Sequence, residues 1–188
     1  TETTNINPLT ADLVGVGLCA KEGITHYIPL NGEIDKKNVI EALKKLVDNS
    51  KTSFFGHNIK YDYHVLLQHG IEIKNICFDT ILASYLLNPQ SQRHNLDKIT
   101  LEVFGIEKTS IKSLIGSGKK QLSMKDVEIE KIATYCQEDV DYTFRLKGIF
   151  EKELKEKKLS SLLYDIELPL LFILAKMEED GIFIDKPY

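Results

Sequence analysis

Residues 13–47 read LVGVGLCAKEGITHYIPLNGEIDKKNVIEALKKLV, which combines a hairpin signal with a helix signal. The runs Leu13 to Ala20 and Thr25 to Leu30 are rich in β-forming residues, and the Lys-Glu-Gly segment between them predicts a turn. From Asp35 to Val47, apolar residues recur every three or four positions, which predicts an amphipathic helix with Asp35 as its cap. We therefore expect two paired strands followed by a helix.

Beyond this stretch, the sequence predicts one further strand and a series of helices. Thr52 to Gly56 is a short apolar run that fits a strand, and helical spacing resumes from Asp62 to His69. Four later segments have helical spacing: Thr80 to Leu87, Leu96 to Phe104, Val127 to Leu159, and Leu162 to Glu179, where Pro169 could kink the helix. This order of elements indicates an α/β or mixed-sheet domain with a helical C-terminal extension.

Composition limits the function classes to which this chain can belong. Lys and Arg number 24 and Asp and Glu number 28, a net charge of −4, which argues against a protein that holds nucleic acid by bulk charge alone. No apolar run approaches the roughly 18 residues of a membrane-spanning helix, and the N-terminus lacks a secretory signal pattern. We therefore expect a cytoplasmic protein with no membrane partner.

Two patterns that suggest specific chemistry are incomplete. The cysteines Cys19, Cys77 and Cys136 are far apart and form no C-x-x-C pair, which favours buried free thiols over a zinc or redox site. The basic loop Ser117-Gly118-Lys119-Lys120 lacks both the full G-x-x-x-x-G-K-[ST] pattern and the preceding strand of a phosphate-binding loop. We interpret it as a solvated loop.

Four positions are candidates for catalysis: Glu2 near the start, Asp62 at a strand-to-helix junction, and Tyr135 with Asp139 on a predicted helix. Residues four apart on a helix lie on the same face, so the Tyr135 hydroxyl and the Asp139 carboxylate can face one small volume. Taken alone, such a pair is more often a half-buried ring and a solvated charge.

Three motifs resemble those of a known family. Gly56-His57-Asn58-Ile59-Lys60-Tyr61-Asp62 is similar to the second motif of the 3′ to 5′ exonuclease domain of family A DNA polymerases, the DNA polymerase I type. Tyr135-Cys136-Gln137-Glu138-Asp139 resembles the third motif, Y-x-x-x-D, and Thr1-Glu2-Thr3 resembles the end of the first, D-x-E. Other segments that resemble the same domain are Leu13 to Leu30, Phe78 to Leu96 and Gly118 to Leu122.

The resemblance implies a fold and a domain organisation. Members of this family have a ribonuclease H-like fold, with a mixed five-stranded sheet flanked by helices. Residues 1–160 would form the exonuclease domain, and residues 161–188 would form a linker helix and the start of a polymerase domain. The segment Ile166 to Asp185 is similar to the entry into that polymerase domain.

The resemblance also implies the chemistry. Members of the family hydrolyse the 3′-terminal phosphodiester of single-stranded DNA with two divalent ions, and carboxylates suit Mg²⁺ or Mn²⁺. Glu2 and Asp139 would ligate the metal on the nucleophile side, and Asp62 would help to hold the second metal. Tyr135 would orient the attacking water. The two ions would supply the positive charge that an acidic chain needs to hold DNA.

Three further residues match family positions beside the bound strand. The Asn58 amide, the Tyr61 ring and the Arg93 charge suit contacts with a single strand of DNA. Structural roles stay open for two of them, because Asn58 could cap the following helix and Tyr61 could belong to the core.

The sequence departs from the family pattern at its start. The leading Asp of D-x-E would stand one residue before Thr1. We expect that the chain is cut within this motif, so that its first strand is truncated and its own activity is in question. His57 stands where relatives commonly have glutamine, and both side chains can donate a hydrogen bond.

Three functions follow as hypotheses. The leading one is the proofreading 3′ to 5′ exonuclease domain of a bacterial polymerase of this type, monomeric, cytoplasmic, and joined to the polymerase domain of its parent chain. The second is a catalytically inactive scaffold or single-strand-binding module with the same fold. The clustered acids argue against it, because a scaffold has no use for them. The third is a ribonuclease D-type exoribonuclease, against which the polymerase-like segment Ile166 to Asp185 argues.

Overall fold

The structure, a computed structural model, describes residues 1–118 and 121–185. Lys119 and Lys120 of the expected basic loop lie outside the described residues, as do residues 186–188. The strands within the described part are β1 (Glu2–Thr3), β2 (Leu13–Lys21), β3 (Ile24–Pro29), β4 (Phe54–Gly56) and β5 (Ile76–Asp79).

The strands form one antiparallel sheet and one parallel pair. β2 pairs with β1, where Glu2 lies opposite Gly15, and with β3 on its other side. β4 and β5 run parallel, with Phe55 opposite Phe78. The expected α/β fold with strands of both directions is confirmed. Within the described residues the five strands divide into sheets of three and two, because the two-residue β1 bonds to β2 and extends no ladder to β4.

The helices lie around these strands. They are α1 (Lys36–Val47), α2 (Ile59–Leu67), α3 (Thr80–Leu87), α4 (Leu96–Phe104), α5 (Ile111–Ile115), α6 (Ile129–Glu156) and α7 (Leu168–Asp180). A short 3₁₀ turn at Met124–Asp126 precedes α6, and a π-helical segment at Leu162–Glu167 leads into α7. The helix expected over Leu162 to Glu179 is thus present in two parts, with Pro169 in the first turn of the second, where proline is tolerated.

Most of the predicted elements are confirmed, and the start of α2 shows why one was misplaced. Asp35 caps α1 as expected, since its side chain accepts the backbone N–H of Lys37 at 2.9 Å. Helix α2 begins at Ile59, earlier than predicted, because the Asp79 carboxylate accepts the N–H groups of Asn58 and Ile59. The capping group comes from β5, a strand that the sequence analysis did not predict, so no local pattern reveals it.

Helix α6 packs directly on strand β2, and Gly17 allows this contact. A Cβ atom at position 17 would lie 2.5 Å from the Cys136 sulfur and 2.9 Å from Cγ1 of Val140. These distances are shorter than van der Waals contact, so a side chain there would push α6 away from the sheet. Since Tyr135 and Asp139 lie on the same helix, Gly17 controls how closely both approach β1.

The C-terminal segment packs against the rest of the domain. Leu163 and Leu168 are buried in a hydrophobic core that also contains Phe78 of β5. The ring of Phe172 on α7 meets the ring of Tyr63 on α2 edge-on, with 5.6 Å between the ring centroids. Helix α7 is therefore attached to the helix that carries Asp62.

The state of the cysteines and the absence of a membrane-spanning segment were also expected from the sequence. All three cysteines are free thiols, but only Cys136 is buried, while Cys19 and Cys77 are half-buried. No helix in residues 1–118 or 121–185 combines the length and the apolar character needed to cross a membrane.

The contact at Gly17 predicts a measurable difference between two glycine substitutions. We expect Gly17→Ala to destabilise the protein by about 1–3 kcal/mol, because the added methyl group overpacks the interface between α6 and β2. Gly148→Ala is the control, since a Cβ at Gly148 of α6 meets nothing within 4 Å. That change should be neutral or should stabilise the helix by up to about 1 kcal/mol. Urea unfolding of both variants measures the difference, and equal stabilities would contradict the close packing of α6 on β2.

Candidate active site

Helix α6 and strand β1 bring together three of the four predicted catalytic residues. Tyr135 and Asp139 lie one turn apart on α6, and Cys136 beside them is 2% exposed. Glu2 on β1 is 7% exposed, and its carboxylate lies within hydrogen-bonding reach of the Cys136 thiol. Burial, followed by the charges of Asp139 and Glu2, raises the pKa of Tyr135, so these side chains share one electrostatic environment.

The environment of Glu2 favours its protonated form. The pKa of Glu2 is raised to about 7, mainly by burial, which the Thr1 ammonium opposes and the charge of Asp139 reinforces. The Asp62 carboxylate adds a smaller shift in the same direction. The three acids are therefore close enough to repel one another, and a cation bound among them would favour ionised Glu2.

Asp62 lies in the first turn of α2 and faces the start of β1. Its Oδ1 accepts a hydrogen bond from the α-amino group of Thr1 at 2.5 Å and another from the Thr1 hydroxyl at 2.8 Å. The start of α2 is in turn held by Asp79, which is 1% exposed and accepts the N–H groups of Asn58 at 3.0 Å and Ile59 at 2.8 Å. Burial raises the pKa of Asp79 to about 6. Asp79 thus positions the helix that carries Asp62.

The sequence analysis missed a buried lysine that pairs with Asp139. The Nζ atom of Lys108 lies 2.7 Å from Oδ1 of Asp139 and 2.8 Å from Oδ1 of Asp97. Burial raises the pKa of Asp139, and the Lys108 ammonium counteracts this shift. Lys108 lies in the loop between α4 and α5, far from Asp139 in sequence, so neither a motif nor a periodic pattern connects them.

Tyr135 keeps its proton in this environment. Burial, followed by the charge of Asp139, raises the pKa of the Tyr135 phenol far above its usual value. The Lys108 ammonium lies over the ring, 4.5 Å from its centroid. A phenol that stays protonated can donate a hydrogen bond but does not remove a proton from water.

The predicted strand-binding residues occupy different environments. Asn58 is exposed, has a φ of 61°, and makes no capping hydrogen bond with its side chain. Tyr61 is half-buried, since its ring packs against the core and its hydroxyl donates to the Asn5 carbonyl at 2.5 Å. Arg93 is exposed in the loop before α4. The alternative role proposed for Asn58 as a side-chain cap is not observed, whereas the core role of Tyr61 is.

His57 connects the Arg93 loop with the start of α2. Burial lowers the pKa of His57 to about 4, and a hydrogen bond with the backbone of His94 opposes this shift. A ring nitrogen of His57 also lies 2.9 Å from the Thr80 hydroxyl. Because of its lowered pKa, His57 is neutral at pH 7. Its hydrogen bond with His94 also places the loop that carries Arg93 beside the Asn58 segment.

The acidic donors fit hard divalent cations in their chemistry. Glu2, Asp62 and Asp139 offer carboxylate oxygens, the ligands that Mg²⁺ and Mn²⁺ prefer. Among the described residues, no three His, Cys, Asp or Glu side chains converge as a ready-made metal site. Asp139 pairs instead with Lys108. A bound metal would have to share the Asp139 carboxylate with the Lys108 amine or displace that amine.

Comparisons with known proteins indicate the family of this chain. A family model described as 3′-5′ exonuclease matches residues 1–155. DNA polymerase I of Pseudomonas aeruginosa is 34% identical, with the alignment covering 98% of this chain and 21% of that enzyme. DNA polymerase I of Borreliella burgdorferi is 33% identical over 100% of this chain and 21% of that enzyme. The chain spans about a fifth of the length of these curated relatives.

The fold is also similar to that of a protein of solved structure. Brucella melitensis NrnC superposes with a TM-score of 0.74 and 23% sequence identity, over 96% of this chain and 83% of that chain. The same protein has been solved bound to pGG. At this level of identity the similarity concerns the fold, and it agrees with the expected ribonuclease H-like architecture.

The raised pKa of Glu2 predicts how metal binding depends on pH. Since a carboxylate must be ionised to bind a metal ion, the affinity for Mn²⁺ should fall as the pH decreases below about 7, approaching tenfold per pH unit. Above that pH the affinity should level off. Titration calorimetry at several pH values between about 5.5 and 8.5 measures this, provided that the fold is intact at each pH. Glu2→Gln should bind Mn²⁺ more weakly and lose the slope, and a wild-type affinity independent of pH would exclude Glu2 as the titrating ligand.

Proposed function

We propose that this chain, which belongs to the 3′-5′ exonuclease family, removes nucleotides one at a time from the 3′ end of single-stranded DNA, as the proofreading domain of a bacterial DNA polymerase I. The observation that carries this proposal is the group of Glu2, Tyr135 and Asp139 between β1 and α6, with Asp62 facing it from α2. Clustered acids repel one another, and such a group with a perturbed pKa favours a functional site over a purely structural one.

In this proposal Glu2, Asp62 and Asp139 hold two divalent ions, Mg²⁺ or Mn²⁺. Such ions, when bound, lower the pKa of an attacking water and stabilise the leaving 3′ oxygen. Glu2 and Asp139 would ligate the metal on the side of the nucleophile, and Asp62 would help to hold the second metal. The buried position of Glu2 keeps bulk water away from one side of the site and strengthens every charge interaction within it.

Tyr135 would orient the attacking water through its hydroxyl group. Its raised pKa supports a role as a hydrogen-bond donor, not as a base. The Lys108 ammonium over its ring holds the side chain in place, so that the hydroxyl needs little reorganisation during the reaction.

The DNA strand would approach over the Asn58 segment and the Arg93 loop. The exposed amide of Asn58 can donate to a phosphate or a base, and exposed Arg93 can pair with a phosphate. Tyr61 could present only one face of its ring for stacking, since the ring also packs against the core. A mismatched primer end frays readily, so selecting it for removal requires little unpairing energy.

The parent protein would join residues 1–160, the exonuclease domain, to a polymerase domain that begins within residues 161–188. The outer face of α7 carries exposed apolar side chains, including Leu170, Ile173 and Met177, which suit contact with a neighbouring domain. We propose that the parent protein acts as a monomer in the bacterial cytoplasm.

A ribonuclease D-type exoribonuclease is the second candidate. The fold similarity to NrnC, solved with pGG, favours it. The relatives with the higher sequence identity are DNA polymerases, and their similarity extends through α7. A catalytically inactive scaffold is the third candidate, and a direct digestion assay separates the three.

Removal of Asp139 provides the main test. We expect the wild-type chain, with Mn²⁺ or Mg²⁺, to shorten a 5′-labelled single-stranded DNA in steps of one nucleotide. Asp139→Ala should slow this digestion about a hundredfold or more, because it removes a proposed metal ligand. Glu156→Ala is the control, since it removes an exposed acid at the far end of α6 and should leave the rate unchanged.

The outcomes of this assay separate the candidates. Full metal-dependent activity in Asp139→Ala would overturn the site. Faster digestion of an RNA of the same sequence in direct competition would favour the exoribonuclease. Binding of the strand without digestion by the wild-type chain would favour the scaffold.

The role of Tyr135 predicts a smaller effect than that of Asp139. Tyr135→Phe should reduce the rate about tenfold to a hundredfold, the contribution of one hydrogen bond to a charged transition state. The shape of the pH–rate profile should stay the same, because the phenol does not titrate in this range. Tyr142→Phe removes the same group elsewhere on α6 and should retain the wild-type rate. A pH limb lost only in Tyr135→Phe would show that Tyr135 acts as a base.

A further inference from the structure

Lys108 is held in the interior by more than one contact. Its side chain is 1% exposed, and lysine is almost never buried to this extent without a partner. Its Nζ atom donates to Oδ1 of Asp97 at 2.8 Å and to the backbone carbonyl of Thr109 at 3.0 Å. The backbone N–H of Thr109 donates in turn to the Glu138 carboxylate at 2.8 Å. The loop of Lys108 is thereby fixed to α6, beside Asp139.

The same ammonium contacts two residues of the proposed site. It lies 2.7 Å from Oδ1 of Asp139 and 4.5 Å from the centroid of the Tyr135 ring. An ammonium over the face of an aromatic ring is attracted to it, and an ammonium beside a carboxylate is attracted more strongly. One cation therefore orients both side chains that α6 contributes.

We propose that Lys108 is a positioning residue that holds Asp139 and Tyr135 in place and competes with divalent cations for the Asp139 carboxylate. Its charge thereby sets the metal concentration at which the site fills. This inference rests on the proposed function, in which Asp139 is a metal ligand.

Competition follows from the positions of the charges. An ammonium and a metal ion that share one carboxylate repel each other, and burial strengthens the repulsion because less water screens it. When Asp139 turns toward a metal, Lys108 keeps the Asp97 carboxylate and the Thr109 carbonyl as acceptors. The buried ammonium is then not left without partners, so the exchange is feasible at a modest free-energy cost.

The opposite view is that Lys108 only supports the fold. In that case, removing its charge would loosen the site and weaken metal binding. Competition predicts the reverse direction, because a like charge beside the metal would be gone. The sign of the change in metal affinity therefore distinguishes the two views.

The experiment measures Mn²⁺ binding to the full 188-residue chain by titration calorimetry at pH 8 and low salt. Lys108→Met keeps much of the apolar stem and removes the charge, and we expect it to bind Mn²⁺ at least about threefold more tightly than the wild type. Its melting temperature without metal should be lower, because Asp139 loses its partner. Lys108→Arg keeps the charge and should bind Mn²⁺ with an affinity closer to that of the wild type.

Lys131→Met is the matched control for net charge. Lys131 lies on the same helix as Asp139, but its side chain is 63% exposed and pairs with Glu128. Solvent and salt screen such a charge, so this variant should bind Mn²⁺ like the wild type. Equal tightening in both lysine variants would indicate a general charge effect and would overturn the proposal, as would unchanged or weaker binding in Lys108→Met.

Asp97→Asn provides a second measurement if Lys108→Met does not fold. Loss of the Asp97 charge leaves Asp139 as the only carboxylate beside the ammonium, so Lys108 should hold Asp139 more firmly. We expect Mn²⁺ binding to weaken severalfold. Unchanged or tighter binding in this variant would overturn the competition.

A failure of the proposed function gives a different result from a failure of this inference. If the wild-type chain binds no Mn²⁺ and digests no DNA, both are overturned. If the wild type binds Mn²⁺ and digests DNA, but Lys108→Met binds Mn²⁺ no more tightly, only the role of Lys108 is overturned.

Discussion

The close approach of α6 to β2 is the constraint on which the site depends. Because Gly17 has no side chain, Cys136 and Val140 of α6 lie directly on the strand. One turn of α6 then places Tyr135 and Asp139 beside β1, where Glu2 is buried. A larger residue at position 17 would move α6 away from β2 and separate these groups without altering any of them. The distances between the acids therefore depend on how closely the helix packs on the strand.

Bringing acids together in the interior makes their ionisation costly, and a buried lysine reduces that cost at one of them. Burial raises the pKa of both Glu2 and Asp139, which shows that neither is fully compensated. Lys108 faces Asp139. Its ammonium supplies positive charge at a carboxylate that the proposed chemistry assigns to a metal. In the proposed function, the affinity of the site for divalent ions would thus depend on how firmly Lys108 holds Asp139.

Structural features that depend on neighbouring residues could be predicted from the sequence. Features created by contacts between residues far apart in the sequence could not. The hairpin and α1 follow from residue spacing and from the Asp35 cap, and both are observed. The motif resemblance led to the acids, because motifs keep the order of residues that converge in space. The buried Lys108 and the capping role of Asp79 had no such signal, since each acts on a segment far away in the sequence. Tertiary packing determines both.

Helix α7 also helps to position the helix that carries Asp62. Glu178 on α7 lies 2.9 Å from Nε2 of the buried His64 and also pairs with the Lys60 amine. Both partners lie on α2, on either side of Asp62 in the sequence. A displacement of α7 would therefore pull on the helix that carries Asp62. If α7 connects to a polymerase domain in the parent protein, as proposed, a movement of that domain would be transmitted to α2 and the proposed metal ligand Asp62 through these two contacts.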